Sequence, residues 1–69
     1  MTRGTIVSYD TDGETGYIKP DEDDDKIPFD RKSLVDFPRA EDPQAGDRVS
    51  FMIEGGMAGL WATHVRRLV

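Results

Sequence analysis

The chain has 69 residues, no cysteine and a formal net charge of -5, with nine Lys and Arg against fourteen Asp and Glu. So short a chain buries only about 60% of the surface that its unfolded form exposes, which argues against a deep catalytic cleft and predicts a single small domain over residues 1–69. The absence of cysteine excludes disulfides and thiolate zinc sites, and the apolar runs are far shorter than the roughly 20 residues of a membrane span. The excess of acidic residues argues against indiscriminate binding of polyanions. We therefore expect a cytoplasmic binding protein.

The first half of the chain predicts three short strands. Residues 5–9 are β-branched and aromatic, and the Asp and Gly that follow are typical of a tight turn. Residues 16–19 form a second strand, ended by a proline and by the acidic run at 21–25, which favours a solvated loop. Residues 26–30 alternate polar and apolar side chains, and Pro28 indicates an edge strand because proline cannot donate a ladder hydrogen bond.

The second half predicts a helical turn, a long loop and two more strands. The turn is expected from Ser33 to Val35, and residues 36–46 have the Pro, Gly and Asp content of a loop. Residues 47–54 are the clearest strand, and residues 60–68 form the last. The side chains predicted to face inward from residues 47–54 are Val49, Phe51 and Ile53. Five short strands with glycine-containing turns predict an all-β, five-stranded antiparallel barrel, which leaves no exposed sheet edge.

Five motifs in this order resemble those of the cold-shock domain, and together they cover essentially the whole chain. Residues 4–10 are similar to the family's Gly-Thr-Val-Lys-Trp-Phe-Asn strand, and residues 13–21 to its Lys-Gly-Phe-Gly-Phe-Ile strand with a Pro-Asp turn. Residues 26–34, 46–51 and 59–65 follow the third, fourth and fifth strands. The resemblance implies an OB-type barrel that binds single-stranded RNA or DNA.

Most of the side chains on which that family stacks bases are replaced. Such domains place bases on exposed aromatic residues of strands one to three, and each stack contributes about 1–3 kcal/mol. Losing three or four stacks would remove roughly 3–12 kcal/mol. Two lysines of the family are also replaced, by Val7 and Gly13. The residues standing at the stacking positions are Ser8, Thr15, Pro28, Asp30 and Arg31, so that only Tyr17 of that cluster remains.

A displaced and narrower binding surface is therefore the expectation. Strict alternation would place Trp61 on the buried face with Val65, which favours core packing unless a bulge after Gly59 reverses it. Phe37 could equally pin its loop to the barrel, Tyr17 could cap the barrel wall, and Arg31 could pair with a neighbouring carboxylate. The candidate nucleic-acid-binding residues are Tyr17, Lys19, Arg31, Phe37 and Trp61.

No arrangement of residues indicates catalysis, a metal or a cofactor. His64 is the only histidine, and no serine or acidic residue stands at a recognisable triad spacing from it. Alternating aspartates in the run 21–25 resemble a calcium loop, but the glycine and the closing bidentate Glu are missing. We therefore expect no enzyme, no catalytic residue, no metal site and no cofactor.

Two functions follow from the sequence. The first is a monomeric module that binds single-stranded RNA or DNA, weakly or with altered specificity, because most stacking aromatics are replaced. The alternative is a protein-interaction or regulatory module of the same fold that has lost nucleic-acid binding, whose acidic surface would meet a basic protein partner. A continuous positive stripe across strands one to three would favour the first function, and an acidic face around Asp30 the second.

Overall fold

A computed structural model describes residues 2–35, 37 and 41–68, and within them the chain is all-β. The strands form one sheet in the order β3-β2-β1-β5-β6-β4. All pairings are antiparallel except that of β4 with β6, and β3 at one end of the sheet packs against β6, so the sheet curls into a barrel. The strands are β1 (Thr2–Asp10), β2 (Thr15–Pro20), β3 (Ile27–Asp30), β4 (Leu34–Val35), β5 (Arg48–Gly56) and β6 (Gly59–Arg67). The predicted five-stranded barrel is confirmed, with the two-residue β4 added.

The predicted helical turn is present, but it begins earlier than Ser33. A 3-10 turn covers Arg31–Ser33, because the Asp30 carboxylate accepts a hydrogen bond from the backbone N–H of Ser33 at 3.0 Å and so caps the turn at its start. Leu34 is extended and begins β4, which runs parallel to β6. Of the predicted loop at 36–46, positions 36 and 38–40 lie outside the described residues. No helix in the described part of the chain is long and apolar enough to cross a membrane.

One hydrophobic core fills the barrel. Tyr9 and Phe29 stack at its edge, with ring centroids 5.9 Å apart. Val49 and Phe51 are buried as predicted, but the expectation for Ile53 is wrong, because this side chain is 41% exposed. Within residues 2–35, 37 and 41–68, β1 pairs with β5 as far as Phe51, and the β5–β6 hairpin continues past this pair to Gly56 and Gly59. The buried hydrophobic residues are Ile6, Ile18, Ile27, Phe29, Val49, Phe51, Ala62 and Val65.

An ion pair ties the start of β5 to the turn after β2. The Arg48 guanidinium donates to both carboxylate oxygens of Asp21, at 2.6 and 2.7 Å, and also to the Thr5 hydroxyl. The hydrogen bonds from Arg48 are the main cause that lowers the pKa of Asp21. Since both side chains are nearly half exposed, the pair adds only modestly to stability.

Asp21→Asn is expected to lower the thermal midpoint slightly at neutral pH. A carboxyl whose pKa is lowered on folding stabilises the protein above its unfolded pKa of about 3.9, and this contribution is lost as the pH falls through the folded value. Melting curves of the two proteins should therefore differ at pH 7 and converge in acid. Asp24→Asn, in the same turn, is the matched control; a loss equal to that of Asp21→Asn would contradict the assignment.

Candidate functional site

Tyr17 is the exposed aromatic residue at the centre of the outer face of β1, β2 and β3. Ser8 of β1 and Pro28 of β3 lie directly opposite Tyr17 on the two neighbouring strands, and paired residues share a face. The Tyr17 side chain is 45% exposed. Because neither neighbour carries an aromatic ring, the Tyr17 ring stands here between two compact side chains.

The charges on this outer face are divided between its two ends. Lys19 lies two residues beyond Tyr17 on β2, and Lys26 places its Nζ 5.3 Å from the centroid of the Tyr17 ring. On the other side of Tyr17, Asp10, Thr15 and Asp30 lie in a row across the three strands. The face therefore carries no continuous positive stripe; it is basic at one end and acidic at the other.

A β-bulge at His64 decides where Trp61 lies. Ser50 pairs with Arg66, but Met52 pairs with Thr63, so β6 contains one extra residue between these two pairs. His64 has a φ of 51°, in the left-handed region. The bulge shifts the alternation of β6, and the prediction that Trp61 shares the buried face of Val65 is wrong.

Ala62 and Val65 both face the core across this bulge, and Trp61 faces outward with its side chain 39% exposed. The bulge lies after Gly59, where the sequence analysis noted that an irregularity would reverse the orientation of Trp61. Trp61 is thereby brought to the outer side of the barrel, where β6 approaches β3.

Tyr17 and Trp61 line one open groove of about 320 Å³ at this junction. The floor is apolar: Gly16 adds no side chain, and Phe29 and Ala62 are buried beneath it. The remaining lining residues are Thr15, Pro28, Asp30 and Ser33. We call this the Tyr17–Trp61 groove; its two exposed aromatic side chains and apolar floor suit a planar aromatic ligand.

Asp30 and Ser33 form a fixed polar wall of the groove. The Asp30 Oδ1 atom accepts hydrogen bonds from the Ser33 backbone N–H at 3.0 Å and from its hydroxyl at 2.9 Å. Within residues 2–35, 37 and 41–68, no hydrogen bond to the second oxygen, Oδ2, is present. The 3-10 turn thus holds a carboxylate oxygen at the groove.

Three of the five predicted site residues do not line the groove, and two of these, Arg31 and Phe37, contact the 41–47 segment or β6. Arg31 is half-buried and donates to the Glu41 carbonyl at 3.1 Å and to the Asp42 carboxylate at 3.3 Å. Phe37 packs against the core, and the Arg67 guanidinium lies 4.6 Å from its ring centroid. Both side chains attach the long loop to the barrel, which was the alternative interpretation of each.

The structure brings together Tyr17 and Trp61, with Lys19 one row away on the same outer face. It adds Lys26 and Ser33, which were not among the predicted site residues, and Asp30, which was expected only as a replaced stacking position within an acidic face. Period-two alternation along β3 could have placed Lys26 and Asp30 on the face of Tyr17. In the described part of the chain, no group of three or more His, Cys, Asp or Glu side chains could hold a metal ion.

Comparisons with known proteins identify the fold. No protein-family model matches this chain, and no curated protein matches it. A solved structure described as drosophila Unr CSD456 superposes with a TM-score of 0.80 over 99% of this chain, at 20% sequence identity. This chain spans 26% of the length of that one. The fold is therefore that of a cold-shock domain of the OB type, as the sequence resemblance predicted.

Proposed function

We propose that this chain is a single-stranded nucleic-acid-binding module of the cold-shock type, cytoplasmic and without enzymatic activity, with a narrowed and displaced binding surface. The observation that carries this proposal is the Tyr17–Trp61 groove, which two exposed aromatic side chains line above an apolar floor. Exposed aromatic side chains next to cationic groups are the usual means of binding single strands, because every base offers a face for stacking.

The expected affinity is low and depends on salt. Two stacks of about 1–3 kcal/mol each supply roughly 2–6 kcal/mol, whereas a dissociation constant of 1 µM corresponds to about 8.2 kcal/mol. To reach micromolar affinity, contacts to phosphates must supply the rest of the binding free energy. Lys19 and Lys26 lie on the correct face for this, Lys19 two residues from Tyr17 on β2 and Lys26 over the Tyr17 ring. Among the described residues, Lys19 donates only to the adjacent Pro20 carbonyl.

The arginines of the long-loop side contribute little to phosphate binding. Arg67 pairs with Glu41 at 2.8 Å and lies 3.8 Å from Asp47, and Arg31 pairs with Asp42. Arg48 pairs with Asp21 at the start of β5. Because carboxylates already occupy these guanidinium groups, the lysines beside Tyr17 are the cations that we assign to the phosphates.

Titration with a short single-stranded oligonucleotide of mixed sequence should quench the fluorescence of Trp61 to a saturating level at low salt. Trp61 is the only tryptophan, so its emission reports directly on the groove. If Lys19 and Lys26 neutralise two phosphates, the logarithm of affinity should fall with that of salt with a slope of roughly -1.4. A duplex of the same sequence is the control. Unchanged Trp61 emission together with unmoved Tyr17 resonances would refute the proposal.

The second candidate is a protein-interaction module, and two observations favour it. The outer face of β1, β2 and β3 has no continuous positive stripe and is acidic around Asp30. The β5–β6 hairpin exposes Met52, Ile53, Met57 and Leu60 beyond the barrel. Exposed apolar residues that lie together often mark protein contacts. This function would be favoured if no oligonucleotide binds in the titration and if a pull-down with this chain, after nuclease treatment, still captures a protein partner.

A further inference from the structure

We infer that Asp30 and Ser33 select the base that occupies the Tyr17–Trp61 groove, and that the preferred base is guanine. This inference rests on the proposed function, because it assumes that a base enters the groove. It gives the Asp30 carboxylate a role in base specificity, although its negative charge repels phosphates.

The groove wall formed by these two residues presents hydrogen-bond acceptors. The Ser33 hydroxyl and backbone N–H both point to the Asp30 Oδ1 atom, so Ser33 has no donor left for a ligand. The Asp30 Oδ2 atom and the lone pairs of the Ser33 hydroxyl remain to accept. A ligand edge at this wall must therefore donate.

Guanine is the base whose edge fits such a wall. Its N1–H and N2 amino groups are adjacent donors, whereas adenine and cytosine place a ring-nitrogen acceptor beside their amino group. Thymine and uracil have one N–H between two carbonyl oxygens, which a carboxylate repels. The hydroxyls of Thr15 and Tyr17 and the indole N–H of Trp61 can each donate, so they can serve the remaining O6 acceptor of guanine.

The division of charge on the outer face gives the bound strand an orientation. Lys19 and Lys26 lie on one side of Tyr17, and Asp30 lies on the other. In the favourable orientation, the phosphates lie near the two lysines and the donor edge of the base lies at the Asp30 carboxylate. The reverse orientation would place phosphate against carboxylate, which is repulsive.

The test compares oligonucleotides that differ only in one central base within an otherwise constant pyrimidine strand. Hydrogen bonds to a charged group are worth about 1.5–3 kcal/mol, so guanine should bind at least about tenfold more tightly than thymine at that position. Hypoxanthine, which lacks only the N2 amino group, should lose part of this preference.

Asp30→Asn should abolish the preference for guanine while leaving the fold intact. The amide oxygen of Asn can still accept from Ser33, but an amino group replaces the Oδ2 acceptor. Asp10→Asn is the matched control, because Asp10 carries the same charge in the same row of the outer face but does not line the groove. It should retain the guanine preference.

The outcomes separate this inference from the proposed function. If no oligonucleotide binds, the proposed function fails. If all central bases bind equally well, or if Asp10→Asn and Asp30→Asn have the same effect on the preference, nucleic-acid binding stands and selection by Asp30 is refuted. A guanine preference that only Asp30→Asn removes supports both.

Discussion

Replacing both Tyr17 and Trp61 with alanine is expected to weaken oligonucleotide binding by roughly 2–6 kcal/mol, which is between about thirtyfold and twenty-thousandfold. Each replacement removes one ring from the wall of the groove. Both side chains are more than a third exposed, so the barrel should keep its core and its fold. Because the double variant has no tryptophan, its binding is measured by calorimetry or by chemical-shift changes, and its fold by circular dichroism.

The matched controls distinguish stacking from a loss of apolar surface. Tyr17→Phe and Trp61→Phe keep a ring at each position and should retain most of the affinity. Leu60→Ala removes an exposed apolar side chain from the same hairpin outside the groove and should bind like the parent chain. If Leu60→Ala costs as much as the loss of both rings, general apolar contact with the hairpin explains the binding and the groove does not.

The barrel itself could be predicted because its signals are local. Alternating apolar residues at Val49 and Phe51, and the turn residues between strands, indicate strands and their inward faces within a few positions along the chain. Ile53 continues that alternation, but its burial depends on how far β1 extends along β5. Pattern alone therefore overestimated the length of the buried face.

The bulge that exposes Trp61 could not be predicted from β6 alone. His64 adopts a left-handed conformation, which costs an L-residue roughly 1–2 kcal/mol, and a Gly or Asn that would usually mark such a position is absent there. The bulge allows Ala62 and Val65 to share the core although they are three residues apart. Regular alternation would turn the much larger Trp61 toward the space that Ala62 occupies, so tertiary packing decides the register.

Part of the candidate site could be predicted from residues close together in the sequence, and part depends on contacts with residues far along the chain. Tyr17 and Lys19 share a face by the period of two, which the sequence contains. Arg31 and Phe37 were selected for their chemistry, but carboxylates and the guanidinium of Arg67, far away in sequence, engage them. Residue type shows what a side chain can bind, whereas the fold shows whether its partner is already within the chain.

Gly16 is needed both for the barrel and for the groove. It lies beneath the groove and allows β1, β2 and β3 to pack closely. It stands opposite Tyr9 on β1 and Phe29 on β3 and is buried. A Cβ atom added here would lie 2.8 Å from the Phe29 ring and would collide with the Ser8 carbonyl oxygen. The ring is held by its stack with Tyr9, and the carbonyl belongs to the backbone, so neither can move away easily.

Gly16→Ala is therefore expected to lower the free energy of unfolding by about 1–3 kcal/mol or more. A domain of 69 residues has a total stability of roughly 3–10 kcal/mol, so the loss is a large part of it. Gly13→Ala is the control: its added Cβ would meet only side-chain atoms of exposed residues, the Asp10 carboxylate at 3.2 Å and the Thr15 hydroxyl at 3.6 Å. Alanine also restricts the unfolded chain, so stability should be unchanged or slightly raised. Urea unfolding followed by Trp61 fluorescence compares the two, and equal midpoints would show that β1, β2 and β3 can separate to admit a methyl group.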